Sequence, residues 1–266
     1  MDPLTIYYLT KLLESVFLLP LQDRRERERG FPWMTLTIVV INILIHVGLL
    51  LAFYLRHQTL PDEVSWIIAL YPFMDVSSLK LNGEGLGALS SLTSFFLHAN
   101  FFHLLGNMFV LWFFGRKVED VTGPVRFCLF YLLCGFAASF VTVLASTALS
   151  PLHARMPGLG ASGAISGLMG AYLFLYSDER IRTLISATPL GCCLVAIPFT
   201  IWLPAWVYLV YSFLHDALVA QLIVELAKLD VPYSTGVGVF AHLGGALTGL
   251  VCIYFFLHPE VLARRR

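Results

Sequence analysis

The stretch His98-Ala99-Asn100-Phe101-Phe102-His103-Leu104-Leu105-Gly106-Asn107 sits in an apolar run from about Phe95 to Phe114. A second run opens at Gly160-Ala161-Ser162-Gly163, and a third contains Gly238-Val239-Phe240-Ala241-His242-Leu243-Gly244-Gly245. Hydrocarbon cannot hydrogen-bond an imidazole, an amide or a hydroxyl. Polar groups embedded in such runs must therefore face protein or a water-filled hollow.

Composition sets the solvent. The 266 residues are 58% hydrophobic and 13% charged, against about a quarter charged in a soluble domain, so the chain reads as an integral membrane protein. The formal net charge is zero, which gives no reason to propose a nucleic-acid partner. Cys128, Cys134, Cys192, Cys193 and Cys252 lie in apolar sequence without metal spacing; thiols so placed are inert, although the adjacent pair Cys192-Cys193 could carry an acyl chain.

A span needs about 20 apolar residues, and six are expected: about Met34–Tyr54, Phe95–Phe114, Val125–Ala148, a short Ala161–Tyr176, Leu203–Leu222 and Gly236–Leu257. The fifth is defined least sharply, because apolar sequence continues from Leu184 to Leu222 and is broken by Pro189, Pro198 and Pro204. Residues 184–202 are placed at the inner interface. Residues 1–33 form a cytoplasmic N-terminal segment in which Leu4, Tyr7, Tyr8, Leu12 and Val16 suggest an interfacial helix over residues 1–20. No cleavable signal peptide is visible there. Residues 34–258 form the membrane domain, and 259–266 a cytoplasmic basic tail. With both termini inside, Lys11, Arg24, Arg25, Arg27, Arg29, Arg116, Lys117, Arg126, Arg180, Arg182 and Arg264 to Arg266 are cytoplasmic. That is 13 of the 17 basic residues, as the positive-inside rule requires.

Depth follows from the rise per residue. Ser162 precedes Asp178 by 16 residues, His242 precedes His258 by 16 and His103 precedes Glu119 by 16. At about 1.5 Å each, all three lie about 24 Å above the inner face. Asn107 shares a helix face with His103. The short fourth span stops before the outer surface, so its start is recessed and water can reach it. Gly163 and Gly167, like Gly245 and Gly249, have the spacing that lets helices approach closely.

These residue types suit acyl transfer. A serine hydroxyl needs a base, and His242 is the candidate. Ser162 sits at a helix start, where free N–H groups face a developing oxyanion; His103 and Asn107 can add donors. No acidic residue is obviously placed to orient His242. Asp216, near the outer end of the fifth span, is the only candidate, and a Ser162–His242 dyad is the expected arrangement. Singly, each residue has a plainer reading. Ser162 can be a packing residue, His242 a core histidine, and His103 and Asn107 interhelical glue. His98 can brace the site, and His46, His153, His215 and His258 are assigned no role.

The pattern His98-x4-His103-x3-Asn107, then Gly160-Ala161-Ser162-Gly163, then Gly238-x2-Ala241-His242-x2-Gly245, resembles the rhomboid family of intramembrane serine proteases over roughly residues 30–258, and most resembles bacterial members. The resemblance implies an all-α, six-transmembrane-helix bundle with a short recessed fourth helix. It implies Ser162 as nucleophile, His242 as base, His103 and Asn107 as oxyanion stabilisers, and single-span membrane proteins cut in or near the bilayer, with no metal or cofactor. The expected home is a bacterial inner membrane, with membrane lipid as surroundings. Oligomeric state is left open. Two departures stand out: Leu89 to Phe96 lacks the Trp-Arg pair of many members, and Ser166 stands where some carry an aromatic residue against the catalytic histidine. Tyr172 or Phe240 is then expected to hold His242. Competing classes are a non-proteolytic rhomboid-like binder or chaperone, marked by loss of the serine or histidine, and a transporter, marked by an internal repeat that residues 30–150 and 150–258 do not show.

Overall fold

A computed structural model describes residues 16–24, 30–76, 89–149, 157–187, 199–228 and 238–265. In chain order these form β1 (Val16–Asp23), α1 (Trp33–His57), α2 (Glu63–Leu70), β2 (Asp75–Val76), α3 (Ser90–Thr93), α4 (Phe101–Thr122), α5 (Pro124–Leu149), β3 (Pro157–Gly158), α6 (Ser162–Tyr176), β4 (Arg180–Ala187), β5 (Phe199–Pro204), α7 (Ala205–Lys228), α8 (Val239–Phe256) and α9 (Pro259–Arg265). A helical bundle of α1 and α4 to α8 carries the architecture. Its outer faces are apolar: Phe102 and Phe255 are both 79% exposed, which is tolerable only where lipid covers them.

Four helices, α1, α5, α7 and α8, are long and apolar enough to cross a membrane, and α4 makes a fifth if the bent segment before it is counted with it. α6 has 15 residues, about 22 Å of helix against a hydrocarbon core of about 30 Å.

Several boundaries differ from expectation. The second apolar run does not enter as one helix from Phe95. Ser90–Phe96 meets α4 at 93°, and the Asn100 side chain accepts the His103 N–H at 2.8 Å to begin α4 afresh. α4 then runs to Thr122 rather than stopping near Phe114, because Lys117, Glu119 and Asp120 are buried within it rather than looped out. It ends at Gly123, whose φ of 78° suits glycine, and Pro124 starts α5. Of the expected interfacial helix, residues 1–15 lie outside the described residues, and from Val16 onward the chain is strand. β1, β4 and β5 form an antiparallel sheet in the order β1-β4-β5, with Leu19 opposite Leu184 and Thr183 opposite Ile201. The sheet adds to the helical bundle where residues 184–202 were expected to lie along the interface; Cys192 and Cys193 lie outside the described residues.

Three contacts gather one end of the bundle. Glu119 accepts the Met34 N–H at 3.0 Å and the Thr35 N–H at 2.8 Å, capping α1 from α4. The His258 N–H donates to the Val121 carbonyl at 2.8 Å, and Arg126 Nη1 to the Leu257 carbonyl at 2.6 Å. The start of α1 and the ends of α4 and α8 thus share one side. There, too, Lys117 Nζ lies 3.1 Å from Asp23 Oδ1, and Asp23 Oδ2 accepts the Tyr172 hydroxyl at 3.0 Å, which fastens β1 to α4 and α6.

α6 and α8 make the most extensive inter-helix contact, and glycines account for it. The Gly245 Cα faces the Gly163 carbonyl, Gly249 the Gly167 carbonyl, and Gly170 the Ala246 carbonyl, each so closely that an added Cβ would overlap the facing backbone. α5 closes the third side, with Ala138 against Gly163 and Cys134 against Gly167.

Candidate active site

Ser162 is the first residue of α6, and the chain before it makes a tight approach. Gly160 has φ of 113° and donates its N–H to the Ser94 carbonyl at 2.8 Å. A Cβ there would lie 3.0 Å from both Cε1 and Nε2 of His103 and 3.8 Å from Nδ2 of Asn107. Only glycine combines this backbone angle with a ring pressed against its Cα. The Gly-Ala-Ser turn is thereby held against the face of α4 that carries His103 and Asn107.

His103 has a defined hydrogen-bond polarity. Its Nδ1 accepts the Ala99 N–H at 3.3 Å, so in the neutral ring the hydrogen resides on Nε2, the atom beside Gly160. Asn107 Nδ2 donates to the His103 carbonyl at 3.0 Å and keeps a second N–H. His98, fully buried, braces this corner: its ring meets that of His103 edge-on at 5.1 Å, and its carbonyl accepts Trp66 Nε1–H at 3.0 Å. His46 belongs to the same support. It was given no role from sequence, yet it is buried in the middle of α1 and packs edge-on against Trp66 at 5.5 Å.

A cavity of about 440 Å³ brings the four sequence-predicted residues together. Ser162, His103, Asn107 and His242 all line it, with Gly106, Gly238 and Ser166 among their neighbours. Leu18 and Leu19 of β1 form part of its wall. Ser162 and His242 share this space from the starts of α6 and α8, the two helices that cross at Gly163 and Gly245.

The support of His242 differs from expectation. Tyr172 is engaged by Asp23 and stacks edge-on with Phe114 at 5.1 Å, and Phe240 packs beside Val239; neither holds the ring. Instead Asp216 Oδ2 lies 3.2 Å from His242 Nδ1, while the other carboxylate oxygen lies 3.5 Å from His215 Nδ1. The side chains of His242 and Asp216 are only 16% and 14% exposed. The bare dyad expected from sequence therefore has an acidic neighbour. A fifth span ending at Leu222 puts Asp216 near its outer end; α7 instead continues to Lys228, which sets Asp216 midway along it. Among the described residues no cluster of three or more His, Cys, Asp or Glu side chains is arranged to hold a metal ion.

This arrangement has the parts for acyl transfer: a hydroxyl at a helix N-terminus, an imidazole sharing its cavity, and N–H donors from a second helix on the side of Gly160. The family model for the rhomboid domain matches residues 87–259. RHOMBOID-like protein 6, mitochondrial, of Arabidopsis thaliana is 29% identical over 262 residues, covering 88% of this chain and 73% of that protein. RHOMBOID-like protein 1 of the same plant is 28% identical over 251 residues, covering 85% and 54%. Rhomboid protein 1, mitochondrial, of Saccharomyces cerevisiae is 31% identical over 178 residues, covering 67% and 44%. The chain thus spans about half or less of the length of the latter two.

Proposed function

The chain belongs to the rhomboid family, and from that membership together with the geometry above we propose that it is an intramembrane serine endopeptidase acting on single-span membrane proteins. The observation that carries the reading is the cavity shared by Ser162, His242, His103 and Asn107. Ser162 Oγ attacks a peptide carbonyl while His242 Nε2 takes its proton. The carbonyl oxygen becomes an oxyanion that accepts N–H groups from the first turn of α6, from His103 Nε2 and from Asn107. Collapse breaks the C–N bond, His242 returns the proton to the leaving amine, and an acyl-enzyme remains. A water entering the cavity is then deprotonated by His242, attacks the ester, and releases the carboxyl product and Ser162.

The recessed start of α6 supports water access to a site below the outer surface. Both termini are assigned to the cytoplasmic side of a bacterial cell membrane. The charge distribution supports the orientation, and the gathering of the α1 start with the α8 end supports the termini sharing a side. Several relatives are named as mitochondrial, so a fluorescent fusion that localises to an organelle would replace the compartment without touching the chemistry.

The decisive experiment co-expresses the chain with tagged single-span substrates beside Ser162→Ala and His242→Ala. Both variants are expected to insert normally and cleave nothing. Cleavage by Ser162→Ala at the wild-type rate would eliminate the mechanism.

A further inference from the structure

The carboxylate beside His242 is not part of the mechanism so far, and it lies in a costly place. Asp216 sits within the apolar helix α7, and an acidic group at such depth is retained only where it has partners and a task. Its partners are two imidazoles, one at each carboxylate oxygen: His242 at Oδ2 and His215 at Oδ1. His215 precedes it in the chain and lines the same cavity, as does Asp216 itself.

We infer that Asp216 is the positioning residue for His242, turning the Ser162–His242 pair into a triad whose third member is delivered by α7. The inference rests on the reading of Ser162 and His242 as nucleophile and base. A neutral imidazole has two tautomers, and only the one with hydrogen on Nδ1 leaves Nε2 free to accept the Ser162 proton. An ionised carboxylate has no hydrogen to give, so at 3.2 Å from Nδ1 it selects that tautomer. It also fixes the ring's rotation, and it stabilises the imidazolium formed when Ser162 loses its proton. His215 steadies the carboxylate from the other oxygen.

A purely structural role predicts something different. If Asp216 only pinned α7 to α8, replacing its charge with an isosteric amide would leave the tautomer of His242 and the rate of serine attack unchanged. The separating readout is the reaction of Ser162 with a fluorophosphonate, which requires no knowledge of the natural substrate. Ser162 Oγ bonds to phosphorus, fluoride leaves, and His242 holds the proton. The full chain is reconstituted in lipid vesicles as wild type, Ser162→Ala, Asp216→Asn and Asp216→Glu. The maximal labelling rate and the half-saturating probe concentration are measured, and ¹⁵N shifts of labelled histidine report the His242 tautomer.

The expected results are these. Wild type labels at Ser162 with His242 in the Nδ1–H form. Asp216→Asn lowers the maximal rate about 10- to 100-fold, the loss of one charge-assisted hydrogen bond, changes half-saturation by less than about two-fold, and shifts the tautomer population. Asp216→Glu recovers most of the rate and the Nδ1–H form. A wild-type chain unlabelled at Ser162 would overturn the proteolytic reading, and this inference with it. Normal wild-type labelling with an unchanged rate and tautomer in Asp216→Asn would overturn the inference alone. Should Asp216→Asn fail to accumulate in the membrane, Asp216→Glu decides: a restored tautomer and rate support the role, and an Nε2–H ring that still labels at the wild-type rate refutes it.

Discussion

Replacing Gly245 by alanine tests the idea that two bare helix backbones set the distance between nucleophile and base. A Cβ on Gly245 would stand 2.9 Å from the Gly163 carbonyl carbon, closer still to its oxygen, and 3.4 Å from the Gly167 nitrogen. Backbone cannot rotate aside as a side chain can, so α8 must move away from α6. The carbonyl carbon alone requires about 0.5 Å and the oxygen more, giving a separation of roughly 1 Å where contact is restored. Overpacking of this kind costs about 1–3 kcal/mol. The functional cost is larger. Gly245 lies one turn beyond His242 and Gly163 lies next to Ser162, so the displacement falls on the reacting atoms, where about 1 Å is worth on the order of 10²-fold in rate. The assay is turnover per mole of folded enzyme, with thermal unfolding measured in the same detergent. The control is Gly48→Ala on α1, where nothing lies within 4 Å of the new methyl group; it should keep its rate and gain up to about 1 kcal/mol. If Gly245→Ala turns over and unfolds as Gly48→Ala does, the backbone crossing does not set the catalytic distance.

Gly160→Ala should assemble normally yet lose about 10-fold or more in turnover, since a left-handed backbone angle costs about 1–2 kcal/mol for alanine and the methyl group presses on the His103 ring; unchanged turnover would detach His103 from this turn. Asn107→Ala should lower the single-turnover rate by about 10²–10³-fold without abolishing it, the value of one oxyanion donor, and an unaltered rate would remove Asn107 from the site. Lys117→Met should destabilise the protein by about 3–5 kcal/mol by leaving the buried Asp23 carboxylate without its countercharge, whereas pairing it with Asp23→Leu should recover only part of that loss, because the Tyr172 hydroxyl then loses its acceptor; a double variant as unstable as the single one, by thermal unfolding, would show that the sheet is not fastened by this ion pair.

How much of this was legible in the sequence depends on the range of the interactions. The helices were readable because uninterrupted apolar runs force intrasegment hydrogen bonding, and the site residues because a serine, an asparagine and two histidines stand out against those runs. Counting residues places them at one depth, and all four line one cavity. The sheet was not readable, because β1 finds its partner far along the chain and its apolar residues show no alternation that distinguishes strand from interfacial helix. The 93° break before α4 had a local signal in Asn100, three residues ahead of His103, but the surrounding phenylalanines concealed it. Asp216 failed for a different reason. In sequence, the charged residues near the ends of α4 and α7 read as loop, which shortens both helices and moves Asp216 toward the surface, away from His242.

The wall that β1 contributes to the cavity has a consequence for synthesis. Val16 pairs with Ala187 and Asp23 with Ile181, so the strand must wait for residues made 158 to 171 positions later. At roughly 5–20 residues per second that delay is on the order of 10–30 s. Ser162 leaves the ribosome 18 to 25 residues before the β4 residues Arg180–Ala187, and the α7 and α8 residues that complete the cavity wall, Asp216 and His242 among them, follow later still. A nascent chain therefore acquires its nucleophile before the enclosure that shelters it.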